Sequence, residues 1–425
     1  MKRFIFSILT LIISFAVGYH VLCLWKSVSL YQTHPSILNP SKDDLLRASR
    51  LEPSNPDPHY RLGLFYLWNI GDVDLEQSFD HLKKAIERNP LQQEYWLTLA
   101  GVLSRMGKPK TSDEVLERAI SVFPAGYAGR WAAGNLLLQR GDYERALPHF
   151  SYILAHYPDQ SSLVYDIFLR AKNADFVLEN LVPKDRASFD QYLHYLYEIG
   201  DQEAAVKTWD KKVSLGYKSD RQDTLQHIDF LISRGLLGEA FRVWGARLKE
   251  EGLLIPSDHN LITNGRFEVE KVLGGGFDWR IEKVPGAEVS FDRSVAFEGK
   301  GSLRIHFDGK ENIDFYHVFQ YVAWKPDTDY LLRAYLKTKG ITTKSGLRIE
   351  AVGIGPAFYS ASESLTGDNG WKELRLAFHT PAHSQGGIIR ARREKTDKFD
   401  RLISGTVWLD DVTLKERQWA IGKRL

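Results

Sequence analysis

The sequence of 425 residues has a single cysteine, Cys23, which excludes an intrachain disulfide framework and a cysteine-based zinc site. It also has almost no excess of charge of either sign, because 56 Lys and Arg residues balance 54 Asp and Glu residues. A nucleic-acid partner is therefore disfavoured, since such binding relies on a strongly basic surface. The chain does have 43% hydrophobic residues, enough at this length to bury at least two separate cores.

Motifs of the common catalytic classes are also missing. The sequence has no Walker-type phosphate loop and no GxSxG, HExxH or paired CxxC motif, and the glycine triple 274–276 has no helix signal after it. His379 and His383 are four residues apart, but the proline between them predicts a loop, and no carboxylate partner is evident. Glu350 and Glu373 could lie on one face as a glycosidase pair, yet they alternate with arginines and resemble ion-pair partners. We therefore predict that the protein is not an enzyme.

The N-terminus carries a long apolar run. Residues 4–25 contain no Asp, Glu, Lys or Arg, and they follow the basic pair Lys2 and Arg3. A helix of this length, rising about 1.5 Å per residue, spans a hydrocarbon core of about 30 Å. The basic pair is predicted to stay in the cytoplasm, which places the chain after Trp25 outside it. We predict a single-pass protein of the inner (cytoplasmic) membrane whose bulk is periplasmic or otherwise extracytoplasmic.

A cleaved signal peptide is the alternative, because Ala16 and Gly18 form a small-x-small pattern that a peptidase could accept. The apolar run continues through Trp25, beyond an ordinary signal-peptide core, and this favours an uncleaved anchor. A lipoprotein site at Cys23 is rejected, since the residues before it lack the required small side chain.

Internal repeats follow the anchor. Prolines recur at an interval of 34 residues, each with an alanine or isoleucine five residues earlier: Ala85 and Pro90, Ala119 and Pro124, Ile153 and Pro158. The second unit adds apolar and small residues at the matching spacings: Trp96, Leu99, Ala100, Leu103 and Leu116. These positions resemble the tetratricopeptide (TPR) family. The first unit fits only with about three extra residues near Gly71, and divergent units continue to about Gly252.

The TPR resemblance implies stacked helical hairpins. Small residues at Gly63, Ala100, Gly134 and Ala146 would let paired helices approach, while leucines and aromatic residues fill the space between them. We predict that Trp96 and Trp131 are core residues. Such an array implies a protein partner on its concave face. The alternative is that the array only holds the C-terminal domain away from the membrane.

After residue 260 the periodicity changes to alternation. Seven or more short segments place apolar residues at every second position, which predicts an antiparallel β-sandwich, most simply a jelly roll. Several motifs appear in order: NGRFE from Asn264, GKGSLRI from Gly299, VAWKPDTDYLLRAYLKT from Val322 and VWLDDVTL from Val407. Together they resemble the jelly-roll carbohydrate-binding modules of families 4, 9 and 22, within the galactose-binding-like group.

That resemblance implies a structural calcium ion at the sandwich edge. The matching positions are Glu268 and Asp410, with Asp411 as the alternative ligand. The competing interpretation is that Asp410 and Asp411 only cap a turn or pair with lysines.

The same resemblance implies that an outward face of the sandwich could bind glycan. Alternation points Tyr330, Leu332, Ala334 and Leu336 inward and the residues between them outward. The candidate glycan-binding residues are Tyr321, Tyr335, Arg348, Arg375, Arg390 and Arg392. Tyrosine stacking and bidentate carboxylate recognition by arginine would both be available. Arg/Glu pairing across strands on a solvated face is the alternative.

The predicted fold class is therefore multidomain, with a transmembrane helix, an all-α TPR-like solenoid and an all-β jelly roll. The predicted boundaries are anchor 1–26, linker 27–41, repeats 42–252, linker 253–260, sandwich 261–416 and tail 417–425. We expect a non-enzymatic scaffold that binds protein and polysaccharide, in surface-polysaccharide assembly or export. A protein-interaction adaptor whose sandwich binds no sugar is the alternative, and a polysaccharide-processing enzyme is a minor one.

Overall fold

A computed structural model describes residues 2–32, 41–253, 255–256, 259–355 and 358–417. The chain divides into two compact units, Met1–Tyr195 and Leu196–Leu425. The first unit is helical. The second contains both helices and the β-sandwich.

The first unit begins with α1 (Lys2–Gln32). Within the described residues, α1 is the one helix long and apolar enough to cross a membrane, over Thr10–Tyr31, a property that a membrane anchor and a signal sequence share. The helices that follow are α2 (Lys42–Leu51), α3 (Pro56–Trp68), α4 (Leu75–Arg88), α5 (Gln93–Arg105), α6 (Pro109–Val122), α7 (Tyr127–Gln139), α8 (Tyr143–His156), α9 (Ser161–Ala171) and α10 (Ala174–Asn180). Helix α11 (Arg186–Ile199) begins in the first unit and ends in the second.

The last turns of α1 belong to the helical array. Ser27 is buried and donates from Oγ to the Ala48 carbonyl at 3.0 Å, and Tyr31 is buried with Leu45 and Leu62. The predicted linker therefore begins too early, because residues 27–32 are helical and packed against α2 and α3.

Small residues set the helix approaches, as predicted. A Cβ on Gly63 would lie 2.7 Å from Leu82 Cγ, and one on Gly134 would lie 2.5 Å from the Phe150 ring. The α3–α4 loop spans 69–74, whereas the α5–α6 loop spans only 106–108, so the first hairpin does have the longer turn. The prediction that Trp96 and Trp131 are core residues is too strong, because both are only half-buried. The Trp96 indole N–H reaches out to the Pro90 carbonyl at 2.8 Å.

The second unit contains α12 (Gln202–Ser214), α13 (Arg221–Ser233) and α14 (Leu237–Glu250). Ten strands follow: β1 (Arg280–Ile281), β2 (Ala287–Asp292), β3 (Ser302–Asp308), β4 (Phe315–Ala323), β5 (Asp329–Ile341), β6 (Arg348–Gly353), β7 (Tyr359–Ala361), β8 (Gly367–His379), β9 (Gly386–Arg393) and β10 (Ser404–Glu416). The predicted fold class, helical repeats followed by an all-β jelly roll, is confirmed.

The strands form two five-stranded sheets with antiparallel pairing. Sheet A has the order β1-β4-β9-β6-β7, and sheet B has the order β2-β3-β10-β5-β8. Inward residues of the two sheets share one core, in which Val322 of sheet A and Leu336 of sheet B are at most 1% exposed. The alternation predicted for β5 is confirmed, because its four inward residues are all buried.

The glycine triple 274–276, for which the sequence pattern indicates no role, is a packing element. Gly276 has φ +57°, and a Cβ there would lie 2.8 Å from the Trp244 ring of α14. The neighbouring Phe277 is 1% exposed and packs against the same ring and against Phe241. The Asp278 carboxylate holds the loop by accepting the Gly274 N–H at 2.6 Å, together with the N–H groups of the two preceding residues. The last helical hairpin and the sandwich therefore pack together within the second unit.

Acid is expected to destabilise this unit through His227 of α13. Burial, and to a smaller extent the Arg242 and Lys212 cations, lowers the pKa of His227 to about 3. The unfolded chain takes up a proton below a pKa of about 6.5 that the fold excludes, so stability is complete above that pH and falls as the pH drops towards 3. The expected loss at pH 5, relative to pH 8, is about 2 kcal/mol.

Denaturant unfolding at the two pH values measures this loss, and His227→Phe provides the comparison because a phenyl ring can keep the stacking on Trp209, whose ring centroid lies 4.2 Å away. We expect the variant to be less stable at pH 8, since Tyr197 loses its hydrogen bond to His227 Nδ1. Its free energy of unfolding should change less between pH 5 and pH 8 than that of the wild type. An unchanged slope would show that other groups cause the acid sensitivity.

Candidate functional site

The outward face of sheet A brings together four of the six predicted glycan-binding residues. Tyr321 lies on β4, Arg348 on β6, and Arg390 and Arg392 on β9. Pairing aligns Arg348 with Arg392 across β6 and β9, and Tyr321 with Ile388 across β4 and β9. We call this outward surface of sheet A, from β1 to β7, the sheet A face.

Tyr335 and Arg375 lie elsewhere. They belong to β5 and β8 of sheet B, because the chain changes sheets between β4 and β5, so the prediction that all six residues share one face is wrong. The Tyr335 ring stacks on Phe297 with centroids 3.7 Å apart, and Arg375 donates from Nε to Glu373 at 2.6 Å. Glu350 and Glu373 are likewise on different sheets and form no pair.

Glu350 organises the centre of the sheet A face. Its side chain is fully buried beneath the arginines, where it accepts from Arg348 Nε at 2.8 Å, from Arg390 Nε at 2.8 Å and from the Tyr359 hydroxyl at 2.6 Å. Burial opposes ionisation of Glu350, but these three hydrogen bonds lower the pKa of its carboxyl. Cross-strand Arg/Glu pairing, the alternative predicted from the sequence, is therefore present on this face. The network fixes the position of Arg348 and Arg390, whose side chains remain 20% and 24% exposed.

Arg392 is held separately. Its NH1 group donates to Asp314 Oδ1 at 2.7 Å, and its Nε lies 3.8 Å from Glu350 Oε2. The guanidinium groups of Arg390 and Arg392 both lie about 6 Å from the Tyr316 ring centre, at 6.0 and 5.8 Å. Tyr316 is 43% exposed. Its ring stacks on His317, with centroids 4.5 Å apart, and the exposed part of the side chain lies beside the two cations.

Three further residues of this face are not predicted by the sequence pattern: Tyr316, Tyr359 and Arg280. Tyr316 lies at a register shift between Phe315 and Val318, where simple alternation fails. Tyr359 lies in a three-residue strand and Arg280 in a two-residue strand, both too short for a periodic signal.

Arg280 connects the sheet A face to the helices of the same unit. Its NH2 group donates to Asp229 of α13 at 2.7 Å, and its guanidinium lies 5.3 Å from the Tyr321 ring centre. A ligand that stacks on Tyr321 therefore meets Arg280 first. Helix α13 therefore borders the sheet A face next to β1.

The predicted calcium ligands converge on the turn formed by residues 297–300. The fully buried Asp410 accepts the Phe297 N–H at 2.7 Å and the Glu298 N–H at 3.2 Å, and Glu268 accepts the Lys300 N–H at 2.9 Å. Burial raises the pKa of Asp410. A Cβ on Gly299 would lie 1.8 Å from Glu268 Oε1. The Glu268 carboxylate therefore fits against this turn because residue 299 is glycine.

Asp411 has a different partner. It follows Asp410 at a register shift in β10 and accepts from Arg266 Nε at 3.2 Å, and Arg266 also pairs with Glu298 of the turn at 2.7 Å. In the part of the chain that the structure describes, no group of three or more His, Cys, Asp or Glu side chains could hold a metal ion. The residues fit an oxygen-ligated cation only if backbone oxygens complete the shell, because Glu268 and Asp410 supply two carboxylates with lone pairs left over.

His379 has carboxylate partners, contrary to the sequence analysis. Its Nδ1 lies 3.0 Å from Asp329 Oδ1 and its Nε2 lies 3.0 Å from Asp327 Oδ1. Hydrogen bonds to Asp329 and Asp327 raise the pKa of this exposed histidine. His383 takes no part in this pairing, so the two histidines form no zinc pair.

The first unit has its own groove, of about 370 Å³, between α3, α5 and α7. Leu64, Leu97 and Leu136 line it together with polar Asn135, and Gly101 leaves its floor open, because a Cβ there would meet nothing within 4 Å. The groove is formed by the first helices of three successive hairpins.

The chain has limited similarity to known proteins. No family model matches the chain. The tRNA(Glu)-specific nuclease WapA of Bacillus subtilis subsp. natto is 24% identical over 165 residues, which are 37% of this chain and only 7% of that protein.

Among solved structures, a tetratricopeptide repeat protein from Parabacteroides merdae is 15% identical, over 56% of this chain and 93% of its own, with a TM-score of 0.30. The CBM22-1 xylan-binding domain of Paenibacillus barcinonensis Xyn10C is 13% identical, over 38% of this chain and 94% of its own, with a TM-score of 0.26. These likenesses concern folds and do not by themselves assign an activity.

Proposed function

We propose that the protein is a non-enzymatic, membrane-anchored scaffold that binds an acidic polysaccharide on the sheet A face and a protein in the groove of the helical array. The observation that carries the proposal is the sheet A face, where exposed tyrosines flank arginines fixed by a buried glutamate. In this proposal the protein acts in surface-polysaccharide assembly or export outside the cytoplasm, a role that would use the sugar-binding surface, the membrane anchor and the partner-binding helical array together.

The layout of the sheet A face suits an extended glycan. Tyr316 on β4 and Tyr359 on β7 are 43% and 54% exposed, and they are separated by three strand spacings, about 14 Å. Tyrosine rings stack on the apolar faces of sugar rings, and arginines bind carboxylates through paired N–H groups. A chain of sugars carrying carboxylates can use both at once, whereas one sugar ring cannot reach from Tyr316 to Tyr359.

Affinity electrophoresis of the full chain in gels containing acidic or neutral polysaccharides tests this proposal. We expect retardation by an acidic polysaccharide, and its loss in Tyr316→Ala combined with Tyr359→Ala. Lys372→Ala, an exposed change on sheet B, is the matched control and should keep the retardation. If no polysaccharide retards the protein, the sugar-binding half of the proposal is wrong and the adaptor alternative stands. Hydrolysis of any of these polysaccharides by the pure protein would instead support an enzyme.

The protein-binding half is tested at Gly101. Leucine at this position is expected to fill the groove without disturbing the array, because the site is open and leucine is a better helix former than glycine. Proteins that copurify with the wild type by crosslinking should be lost from Gly101→Leu. Retention of the same partners would show that they bind elsewhere or that the array is only a spacer.

We further propose that α1 is an uncleaved anchor with its N-terminus in the cytoplasm. The buried Ser27 and Tyr31 support this proposal, because they tie the end of α1 to the array. Alkaline phosphatase fused at Leu425 should be active, and a fluorescent protein that matures only in the cytoplasm should be dark there. The reverse pattern would invert the topology.

Calcium bound by Glu268 and Asp410 is proposed as a structural element of the sandwich. The full chain should then melt at a higher temperature with calcium than with chelator, because a ligand at about 100 times its dissociation constant stabilises the fold by about 2.7 kcal/mol. Magnesium should do less, since it demands a tighter octahedral shell.

Asp410→Asn should remove the calcium effect, whereas Asp411→Asn, which changes a residue paired with Arg266, should keep it. Equal melting with calcium and chelator, after bound metal has been stripped, would show that Asp410 only holds the 297–300 turn.

A further inference from the structure

Each arginine of the sheet A face already has a carboxylate partner within the protein. The arginines are Arg280, Arg348, Arg390 and Arg392, and their partners are Asp229, Glu394, Glu350 and Asp314 respectively. Positive and negative groups are therefore equal in number within this set. A ligand carboxylate that pairs with one of these arginines must compete with a carboxylate that the protein supplies.

These carboxylates differ in how easily they could be displaced. The Glu350 side chain is fully buried, and its removal from the arginines would leave buried charges without partners. The other side chains are 40% exposed at Asp314, 47% at Asp229 and 54% at Glu394. Exposed ion pairs contribute little to stability and exchange their partners readily. Glu394 is the most exposed of the set and therefore the one that a ligand displaces most easily.

Glu394 occupies a position next to a stacking platform. The Arg348 NH2 group donates to Glu394 Oε1 at 2.7 Å and to the Tyr359 hydroxyl at 2.8 Å. Tyr359 is 54% exposed. A sugar ring that stacks on Tyr359 lies within reach of Arg348, where the Glu394 carboxylate now takes the place that a carboxylate of the sugar would use.

The loop that carries Glu394 is held by its backbone, independently of the Glu394 side chain. Ser345 Oγ donates to the Glu394 carbonyl at 2.6 Å, and the Lys395 N–H donates to Asp314 Oδ1 at 3.3 Å. The Glu394 side chain can therefore rotate away from Arg348 while the loop keeps its place. Displacement costs one exposed ion pair and no rearrangement of the backbone.

We propose that Glu394 is an internal competitor, which occupies the ligand-carboxylate position on Arg348 and weakens the binding of acidic polysaccharide. This inference rests on the proposed function and identifies a residue that sets its affinity and specificity. A free acidic sugar exchanges with Glu394 at little net gain, whereas a polysaccharide also stacks on Tyr316 and Tyr359 along the same chain. The sheet A face therefore favours chains over free acidic sugars.

Affinity electrophoresis of the full chain, in gels containing graded concentrations of polygalacturonate or neutral hydroxyethyl cellulose, tests this role. Glu394→Gln keeps the shape of the side chain but weakens its hold on Arg348. We expect the dissociation constant for polygalacturonate to fall about three- to fivefold, the scale of one exposed ion pair. Mobility in hydroxyethyl cellulose should not change.

Glu363→Gln is the matched control. It removes the same charge from an exposed residue two positions after β7, and among the described residues no arginine is paired with Glu363. This variant should bind polygalacturonate as the wild type does. In an Arg348→Lys background the gain from Glu394→Gln should shrink, because lysine does not offer the paired N–H groups that bind a carboxylate.

An equal gain in Glu394→Gln and Glu363→Gln, or an equal gain in both gels, would overturn the competitor role and leave the proposed function intact. If polygalacturonate retards neither the wild type nor Glu394→Gln, the acidic-polysaccharide proposal and this inference are both wrong. Retardation of Glu394→Gln alone would support the competitor role and show that Glu394 closes the wild-type site to this polysaccharide.

Discussion

Gly276→Val is expected to destabilise the second unit by about 2 to 5 kcal/mol. A positive φ costs a residue with a side chain about 1 to 2 kcal/mol, and overpacking a tight contact costs about 1 to 3 kcal/mol more. Both apply here, because Gly276 has φ +57° and its Cβ would lie 2.8 Å from the Trp244 ring. Trp244 is fully buried and has no room to withdraw. Thermal unfolding, together with hydrogen exchange of α13 and α14, measures the loss.

Gly274→Val is the matched control for this change. Gly274 has φ +92°, but the nearest atom to its Cβ would be 3.9 Å away, so only the backbone cost applies. The difference between the two variants isolates the contact between the glycine loop and α14. Equal effects would mean that the helical hairpin and the sandwich do not depend on each other for stability.

Glu350→Gln is expected to cost about 3 kcal/mol, since removing one partner of a buried ion pair leaves the other charges uncompensated. Glutamine keeps the shape of the side chain but not the charge that Arg348 and Arg390 contact. The variant should melt at a lower temperature and should also lose affinity for acidic polysaccharide, because the arginines lose their fixed positions. Calorimetry and affinity electrophoresis report the two effects separately.

Glu373→Gln on sheet B is the control, since its partners Arg333 and Arg375 are 37% and 66% exposed. Exposed pairs contribute about 0 to 1 kcal/mol, so this variant should melt close to the wild type. Similar losses in both variants would contradict a special role for Glu350. A stable Glu350→Gln protein with full polysaccharide binding would remove the sheet A face as the site.

The fold was predictable where a period repeats over many residues. The 34-residue interval located the hairpins, and alternation in β5 placed its buried side correctly because one face of that strand lies in the core. The end of α1 was missed, since the apolar composition of residues 4–25 gives no sign that the helix continues into the array. The packing of residues 274–276 on Trp244 was missed as well, because a loop contact between distant segments leaves no periodic pattern.

The candidate site was predictable only in part. Alternation identified outward residues on each strand, but it does not reveal which strands share a sheet, and so Tyr335 was grouped with Tyr321. Arg280 and Tyr359 lie in strands too short for alternation. The burial of Glu350 depends on arginines from two strands, a property of the assembled sheet that no local stretch of sequence contains.

The position of β10 has a consequence for biosynthesis. This strand, the last in the described chain, lies in the middle of sheet B and pairs with β3 on one side and β5 on the other. A nascent chain that has emerged only as far as residue 403 exposes two unpaired strand edges, which are sites for mispairing with other chains. The sandwich therefore closes only after its final strand has been delivered. A chain truncated before Ser404 is therefore expected to be cleaved by proteases more readily than the full chain.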